Sequence, residues 1–450
     1  MRGEETAIEP QRPGGGELAL GAWRELQSED TELARLLEAE TNRQRTTLSL
    51  VASSSVTRPS VLACEGAVFG NLTAEGYPGL RFHGGCVNAD RLETLAIERA
   101  CTVFRAAYAN VQPLSASIAN QIVFASLMAP GDTMLGLSLK AGGHLSHGAR
   151  GNLSGRNFRA RSYGLSPNGE IDYDGLISLA QRVRPRLIVA GTTAYPRQLD
   201  FQRFRAIADD VGAWLVADIT HIAGLVAAGE HPSPVDAAHV VTTCTHKQMF
   251  GPRGGLILVG RSGAQSAIDG EPLTERLQKG VFPMMQGAPN LNMIAAKARA
   301  LGYASTPAFR SDMRRVRALA SHISATLQTL GMQLVSGGTD THIVLLDVRG
   351  SLGLSGKAAQ DTLESCGVVV NKNLLPGDPL PASLTSGVRI GSNSIAARRM
   401  DAAGAEACAR LVWEILAETA AETGLSPGSI ERFRRRAADL CRCYPLAYDL

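Results

Sequence analysis

Three side chains sit where open α/β sheets keep their chemistry. Asp218 closes the apolar run WLVAD, a candidate strand, and His221 follows three residues later. Lys247 comes just after VVTTCTH and just before GPRGG, 29 residues beyond Asp218. Active sites of such sheets gather at the carboxyl ends of the strands. A carboxylate at one strand end and a lysine at a later one suit pyridoxal phosphate. The amine forms an imine with the aldehyde. The carboxylate holds a proton on the pyridine nitrogen and turns the ring into an electron sink. Rivals for the amine are few. Of 45 basic side chains only six are lysine, and Lys140, Lys279, Lys297, Lys357 and Lys372 lie in no such motif.

The elements that must position these residues follow from hydrophobic pattern. Residues 1 to about 27 are rich in Gly, Pro and Glu and are expected to be mobile. A helix is expected from near Asp30, with Leu33, Leu36 and Leu37 on one face. Apolar runs at Thr133–Leu139, Leu187–Thr192, Trp214–Ile219, Val240–Thr243 and Leu256–Val259 alternate with helical stretches. That alternation predicts a mostly parallel sheet covered on both faces. Helices are predicted at about 291–304, 309–330 and 397–418. Shorter strands are predicted near Met332–Val335, Ile343–Val348, Val368–Val370 and Val388–Ile390. The expected division is an N-terminal arm and helix (1–53), a large cofactor-binding domain (54–305) and a small C-terminal α+β domain (306–450). The tail GSIERFRRRAADLCRCYPLAYDL reads as a helix placed at a subunit interface.

Composition removes other classes of function. Apolar residues make up 44% and charged ones 19%, the balance of an ordinary globular protein. A net charge of +3 gives no general field for nucleic acid or membrane. The longest apolar stretch, Trp214–Gly229, carries Asp218, Thr220 and His221 and is too short and polar to span a bilayer. The N-terminus MRGEETAIEPQRPGGGE lacks the pattern of a signal peptide. The eight cysteines are scattered, without metal-ligand spacing, so no metal is expected. A cytoplasmic protein with reduced thiols follows as the expectation.

At Thr245-His246-Lys247 and Gly251-Pro252-Arg253-Gly254-Gly255 the chain resembles the serine hydroxymethyltransferase family. AEGYPG at 74–79, NVQPLSAS at 110–117, GGHLSHG at 142–148, HIAGLVAAG at 221–229 and TSGVRIG at 385–391 match in the same order. The resemblance covers roughly residues 28 to 418. It implies the aspartate-aminotransferase-like fold of pyridoxal-phosphate enzymes (fold type I), with a mostly parallel seven-stranded sheet. It implies Lys247 as the lysine bound to the cofactor, Asp218 at the ring nitrogen, His221 at the phenolic oxygen and His144 against the ring face. Ser115, Ala116 and Ser117 would receive the phosphate at a helix start, and Thr193, His246 and Gly287 would line the cofactor site. Arg389 would hold the substrate carboxylate, with Ser53 beside it. Glu75 would serve as acid–base group near the substrate hydroxyl, with Phe82 and His83 close by. A homodimer with shared active sites is implied, or a tetramer built from it.

The departures from the family pattern cluster around the substrate. Thr73 and His83 stand where the family has tyrosines, and Phe82 replaces a third. Met284-Met285 replaces two glycines, Ser54-Ser55 replaces Glu-Asn, Cys244 replaces a threonine and Ile118 a glutamine. His83 exchanges a weak acid for a group that titrates near neutrality. Leu139, Leu145 and Asn373 keep positions that meet folate in the family, so tetrahydrofolate stays open as a second cofactor. The shared chemistry is cleavage of the Cα–Cβ bond of a β-hydroxy-α-amino acid, which leaves a glycine carbanion. The altered positions favour an L-threonine transaldolase that passes the glycyl unit to another aldehyde. The alternatives are a hydroxymethyltransferase acting on serine and glycine or on an α-methyl amino acid, a simple threonine aldolase, and a non-catalytic scaffold.

Overall fold

The computed structural model describes residues 15–422 and 424–448. Seven strands form the main sheet: β1 (Tyr108–Asn110), β2 (Thr133–Leu137), β3 (Arg159–Tyr163), β4 (Leu187–Gly191), β5 (Trp214–Asp218), β6 (Val240–Cys244) and β7 (Gly255–Val259). Their order is β1-β7-β6-β5-β4-β2-β3. Strands β2 to β6 pair in parallel, and β7 runs antiparallel to both its neighbours. This is the expected type I fold, mostly parallel and seven-stranded.

Every residue of β4, β6 and β7 is buried, so both faces of the sheet are covered. Successive side chains serve opposite faces. Leu135, Ile188, Ala190, Leu215 and Ala217 join one apolar cluster, while Met134, Leu187, Val189 and Val216 join another. The helices start at side-chain caps, as their sequences require. Asp30, Ser115, Asn290 and Thr306 each accept a backbone N–H three residues on.

A second sheet of four antiparallel strands lies in the C-terminal part: β8 (Gln333–Leu334), β9 (Ile343–Asp347), β10 (Asn371–Asn373) and β11 (Gly387–Gly391), in the order β8-β9-β11-β10. The helices Pro307–Thr329 and Ala402–Ala421 pack against each other beside it. The run at Val368–Val369 does not enter this sheet. It pairs in parallel with Leu48–Ser49 and anchors the chain that leads to Ser53. At Gly391 that chain comes so close that an added Cβ would lie 2.4 Å from the Cα of Ala52.

Some expectations need correction. The expected mobile segment of residues 1 to about 27 falls partly outside the described residues; from Gly15 to Glu29 the chain is helical. The Gly and Pro content is concentrated in the first 16 residues, and the stretch that follows holds good helix formers such as Glu17, Leu18, Ala22 and Leu26. Strands β1 and β3 gave no apolar run to read. One has three residues and the other, RARSY, exposes three of its five side chains. The tail is helical as expected, at Pro427–Cys443, and one side of it packs on the helices Thr31–Thr46 and Ala402–Ala421. No helix among the described residues is long and apolar enough to cross a membrane.

Candidate active site

Asp218, at the end of β5, is 6% exposed and accepts three hydrogen bonds. His147 Nε2 lies 2.9 Å away, Asn120 Nδ2 2.8 Å and the Thr220 amide 3.0 Å. Burial opposes the charge of this carboxylate. The three donors, His147 foremost, outweigh burial and hold it well below the usual carboxylate range. Asn120 stands on the helix Ala116–Leu127 and is itself fixed, its oxygen accepting from Thr242 at 2.6 Å and its amide donating to Ser146 at 2.9 Å. The Ser146 amide donates to His144 Nδ1 at 3.1 Å, which leaves the ring proton of His144 on Nε2. Burial pulls His144 down to about 4, so its ring is neutral at physiological pH.

Lys247 follows β6 and is 9% exposed. Its Nζ lies 2.8 Å from His221 Nε2. Burial lowers the lysine, and burial together with the nearby Lys247 lowers His221 well below the ordinary histidine value. Each group thus disfavours a proton on the other, and burial biases Lys247 toward the free amine that a nucleophile needs. His342, from the start of β9, stacks on His221 with ring centroids 6.1 Å apart, and its Nε2 donates to the Ala52 carbonyl at 3.2 Å. Asn393 donates to the same carbonyl at 3.0 Å. Ser53 thus follows a residue clamped by two side chains of the C-terminal part.

Arg389, on β11, is 9% exposed and held by two bonds: Nε to Asn371 at 3.0 Å and Nη1 to the Thr193 carbonyl at 2.5 Å. Its Nη2 has no protein partner among the described residues, which leaves that side of the guanidinium for an anion. Burial lowers Arg389 to about 10, still charged at neutral pH. The Thr193 hydroxyl donates to the carbonyls of Gly142 and Gly143 and ties the loop carrying His144 to this corner.

Ser115 caps the helix Ala116–Leu127 by accepting the Ile118 amide at 3.2 Å. The amides of Ala116 and Ser117 have no acceptor among the described residues. A helix N-terminus with free amides suits a phosphate. Several buried polar atoms lack partners among the described residues: Nδ1 of His221, Nδ1 of His246 and Oγ1 of Thr220. A buried lysine, an ionised aspartate, a free helix start and these orphaned atoms form a set that pyridoxal phosphate would fit.

Glu75, Phe82, His83 and Gly287 form a separate cluster. His83 Nε2 lies 3.5 Å from Glu75 Oε2, and both side chains are well exposed, at 45% and 38%. Phe82 is 72% exposed and packs edge-on against Phe282 with ring centroids 5.6 Å apart. An added Cβ at Gly287 would meet Glu75 Oε1 at 3.3 Å. Among the described residues no hydrogen bond or ion pair joins this cluster to Lys247, Asp218 or Arg389.

Sequence reasoning assigned no role to His147, Asn120, Ser146, Asn371 or His342. The spacing of His144 and His147 in GGHLSHG was the one available signal, since it sets two imidazoles one turn apart. No group of residues suited to a metal ion occurs among the described residues.

The family model described as Serine hydroxymethyltransferase matches residues 26–412. Similar proteins include the serine hydroxymethyltransferase of Synechococcus sp. (strain JA-3-3Ab), 47% identical over 429 residues, which cover 93% of this chain and 96% of that protein. Serine hydroxymethyltransferase 1 of Bordetella parapertussis is 48% identical over 424 residues, 94% of this chain and 96% of its own. Serine hydroxymethyltransferase 1 of Rhodospirillum rubrum is 45% identical over 424 residues, with 94% and 95% covered.

Proposed function

Since the chain belongs to the serine hydroxymethyltransferase family of pyridoxal-phosphate-dependent transferases, we propose that it transfers a hydroxymethyl group between a β-hydroxy-α-amino acid, serine or its α-methyl analogue, and tetrahydrofolate. The observation that carries this reading is the convergence of Lys247, Asp218 and Arg389 in one buried polar site. Likeness to relatives named for hydroxymethyl transfer supports it over the threonine transaldolase that the altered positions suggest.

Pyridoxal phosphate supplies an electron sink for a carbanion at the substrate's Cα. The protein's own residues do the rest. Ser115, Ala116 and Ser117 would hold the phosphate at the helix start. Asp218, kept ionised by His147, Asn120 and Thr220, would hold a proton on the ring nitrogen. His144 would lie against the ring, His221 would meet its phenolic oxygen, and Thr193 and His246 would close the rim, with Gly287 going with Glu75 to the neighbouring subunit's site. Lys247 is the covalent anchor, its amine kept nucleophilic by burial. Arg389 takes the substrate carboxylate in a two-point grip, with Ser53 beside it, and so sets the Cα–Cβ bond for cleavage. Glu75, steadied by His83, takes the hydroxyl proton as that bond opens. Family enzymes are oligomeric, and we place Glu75, Phe82 and His83 in the neighbouring subunit's site of a homodimer.

A second reading rests on the rim. Met284 and Met285 are 50% and 41% exposed, and Thr73 is exposed as well. In the family pattern this edge lies near the substrate, so the exchanged side chains favour an aldehyde acceptor other than formaldehyde and so the transaldolase. Serine, α-methylserine and L-threonine, each with and without tetrahydrofolate and an added aldehyde, separate the readings. Folate-dependent loss of the hydroxymethyl group supports the proposal. Acetaldehyde release from threonine, coupled to the added aldehyde and indifferent to folate, transfers the assignment to the transaldolase. Inertness toward every amino acid with cofactor bound leaves the fold a scaffold.

A further inference from the structure

Lys297 is 2% exposed and stands on the helix Leu291–Ala304. Its Nζ lies 2.6 Å from the Val111 carbonyl, 2.9 Å from that of Pro113 and 3.0 Å from that of Gly255. Three acceptors call for three N–H donors, which only the protonated amine has. Burial pulls the group down to about 7 while the charge of Glu93 pushes it up. The three carbonyls favour the protonated amine, which alone has a donor for each of them.

These carbonyls belong to two segments that meet at the site. Residues 111–115 lead from β1 into the helix Ala116–Leu127, and Gly255 ends the turn that follows Lys247. The Gly255 amide also donates to the Pro113 carbonyl at 2.8 Å. Gln286 secures the same loop, accepting the Leu114 amide at 3.1 Å and donating to the Gln112 carbonyl at 3.2 Å. An added Cβ at Gly254 would lie 2.1 Å from Lys297 Cε, and one at Gly255 2.4 Å from the Ser115 carbonyl oxygen. The two glycines let lysine, loop and turn close on one another. The amides of Ala116 and Ser117 are left without an acceptor among the described residues.

We propose that Lys297 is a positioning residue for the cofactor's phosphate: it clasps the loop 111–115 to the Gly254–Gly255 turn and so sets the helix N-terminus that receives the anion. The inference rests on reading Ser115, Ala116 and Ser117 as the phosphate site. Lys297 need not touch the cofactor to act this way, and its influence is confined to the phosphate end.

Apoenzyme of the wild type and of Lys297→Met, Lys297→Gln and Ser117→Asp is titrated with pyridoxal phosphate and, separately, with pyridoxal, which lacks the phosphate. For Lys297→Met, pyridoxal phosphate affinity is expected to fall roughly tenfold or more while pyridoxal affinity stays within about twofold, the size of one charge-assisted bonding site lost. Glutamine keeps two donors and falls between; it carries the comparison if the methionine variant does not fold. Equal loss for both ligands, or no loss for either, would mean that Lys297 only supports the fold and overturns the proposal. Ser117→Asp puts a negative charge at the helix start and is expected to abolish the preference for the phosphorylated ligand. If it keeps that preference, the phosphate site itself is misplaced and the inference falls with it. If it loses the preference and Lys297→Met does not, the site stands and the clasp alone is refuted.

Discussion

Replacing His147 by leucine tests how the buried Asp218 is kept charged. The carboxylate accepts from His147 at 2.9 Å, Asn120 at 2.8 Å and the Thr220 amide at 3.0 Å. Leucine fills much of the ring's space and removes one donor of three. A hydrogen bond to a charged group contributes about 1.5–3 kcal/mol. At about 1.4 kcal/mol per unit, the loss raises the aspartate by roughly one to two units. Asp218 starts well below the usual carboxylate range. It therefore returns to about that range and stays ionised at pH 8. The expected result is a fall in kcat at pH 8 of no more than roughly tenfold, with the pH–activity profile unmoved between pH 5 and pH 9, because the carboxylate titrates below that window in both proteins. Urea unfolding of the apoenzyme should show a loss of about 1.5–3 kcal/mol. The assay is serine cleavage followed from pH 5 to pH 9, with kcat and KM separated. An acid limb displaced within that window would refute the reasoning, because it would need a far larger shift of Asp218 than one lost donor gives. So would complete inactivity at pH 8, because His147 would then act on the substrate and not through Asp218.

Lys247→Ala removes the amine that lies 2.8 Å from His221. It should abolish the visible band of bound cofactor and all turnover without lowering the thermal midpoint, because burial already disfavours the charged lysine; an absorbance spectrum and a melting curve check both. Arg389→Lys keeps a charge but loses the planar fork held by Asn371 and Thr193. Amino-acid KM should rise by roughly tenfold or more while cofactor affinity is unchanged, a split that steady-state kinetics and cofactor titration resolve. Acid should destabilise the apoprotein. His144, His239 and His246 are lowered to about 4 and His342 to about 3, all chiefly by burial. The unfolded chain takes up protons near 6.5 that these rings refuse in the fold. Stability is therefore full above that pH and falls as pH drops toward 4 and 3. A urea midpoint that stays flat between pH 7 and pH 4.5 would contradict this.

Much of the site was legible because its members sit at strand ends or in short motifs. WLVAD delivers Asp218 and TTCTHK delivers Lys247, while LSAS is marked by the family resemblance. The partners that set their chemistry were not legible. His147 meets Asp218 across 71 residues and Asn120 meets it across 98. His342 reaches Ala52 across 290 residues, and Lys297 reaches Val111 across 186. No local pattern encodes such pairs, because each depends on how separate elements pack. The run at Val368–Val369 shows the same limit in the fold: its residues predict a strand, but only packing decides that it pairs with Leu48–Ser49.

The sequence by itself therefore determined five of the seven strands, the cofactor chemistry and a candidate lysine for it, because apolar runs, short motifs and a scarce amine are local properties. The tertiary structure alone decided which groups are charged. Burial disfavours the charge on Lys247, His144, His221, His246 and His342, while three converging donors keep Asp218 ionised and three converging carbonyls favour the proton on Lys297. A proton's free energy depends on the dielectric and the partners around it, and those exist only once distant segments have met.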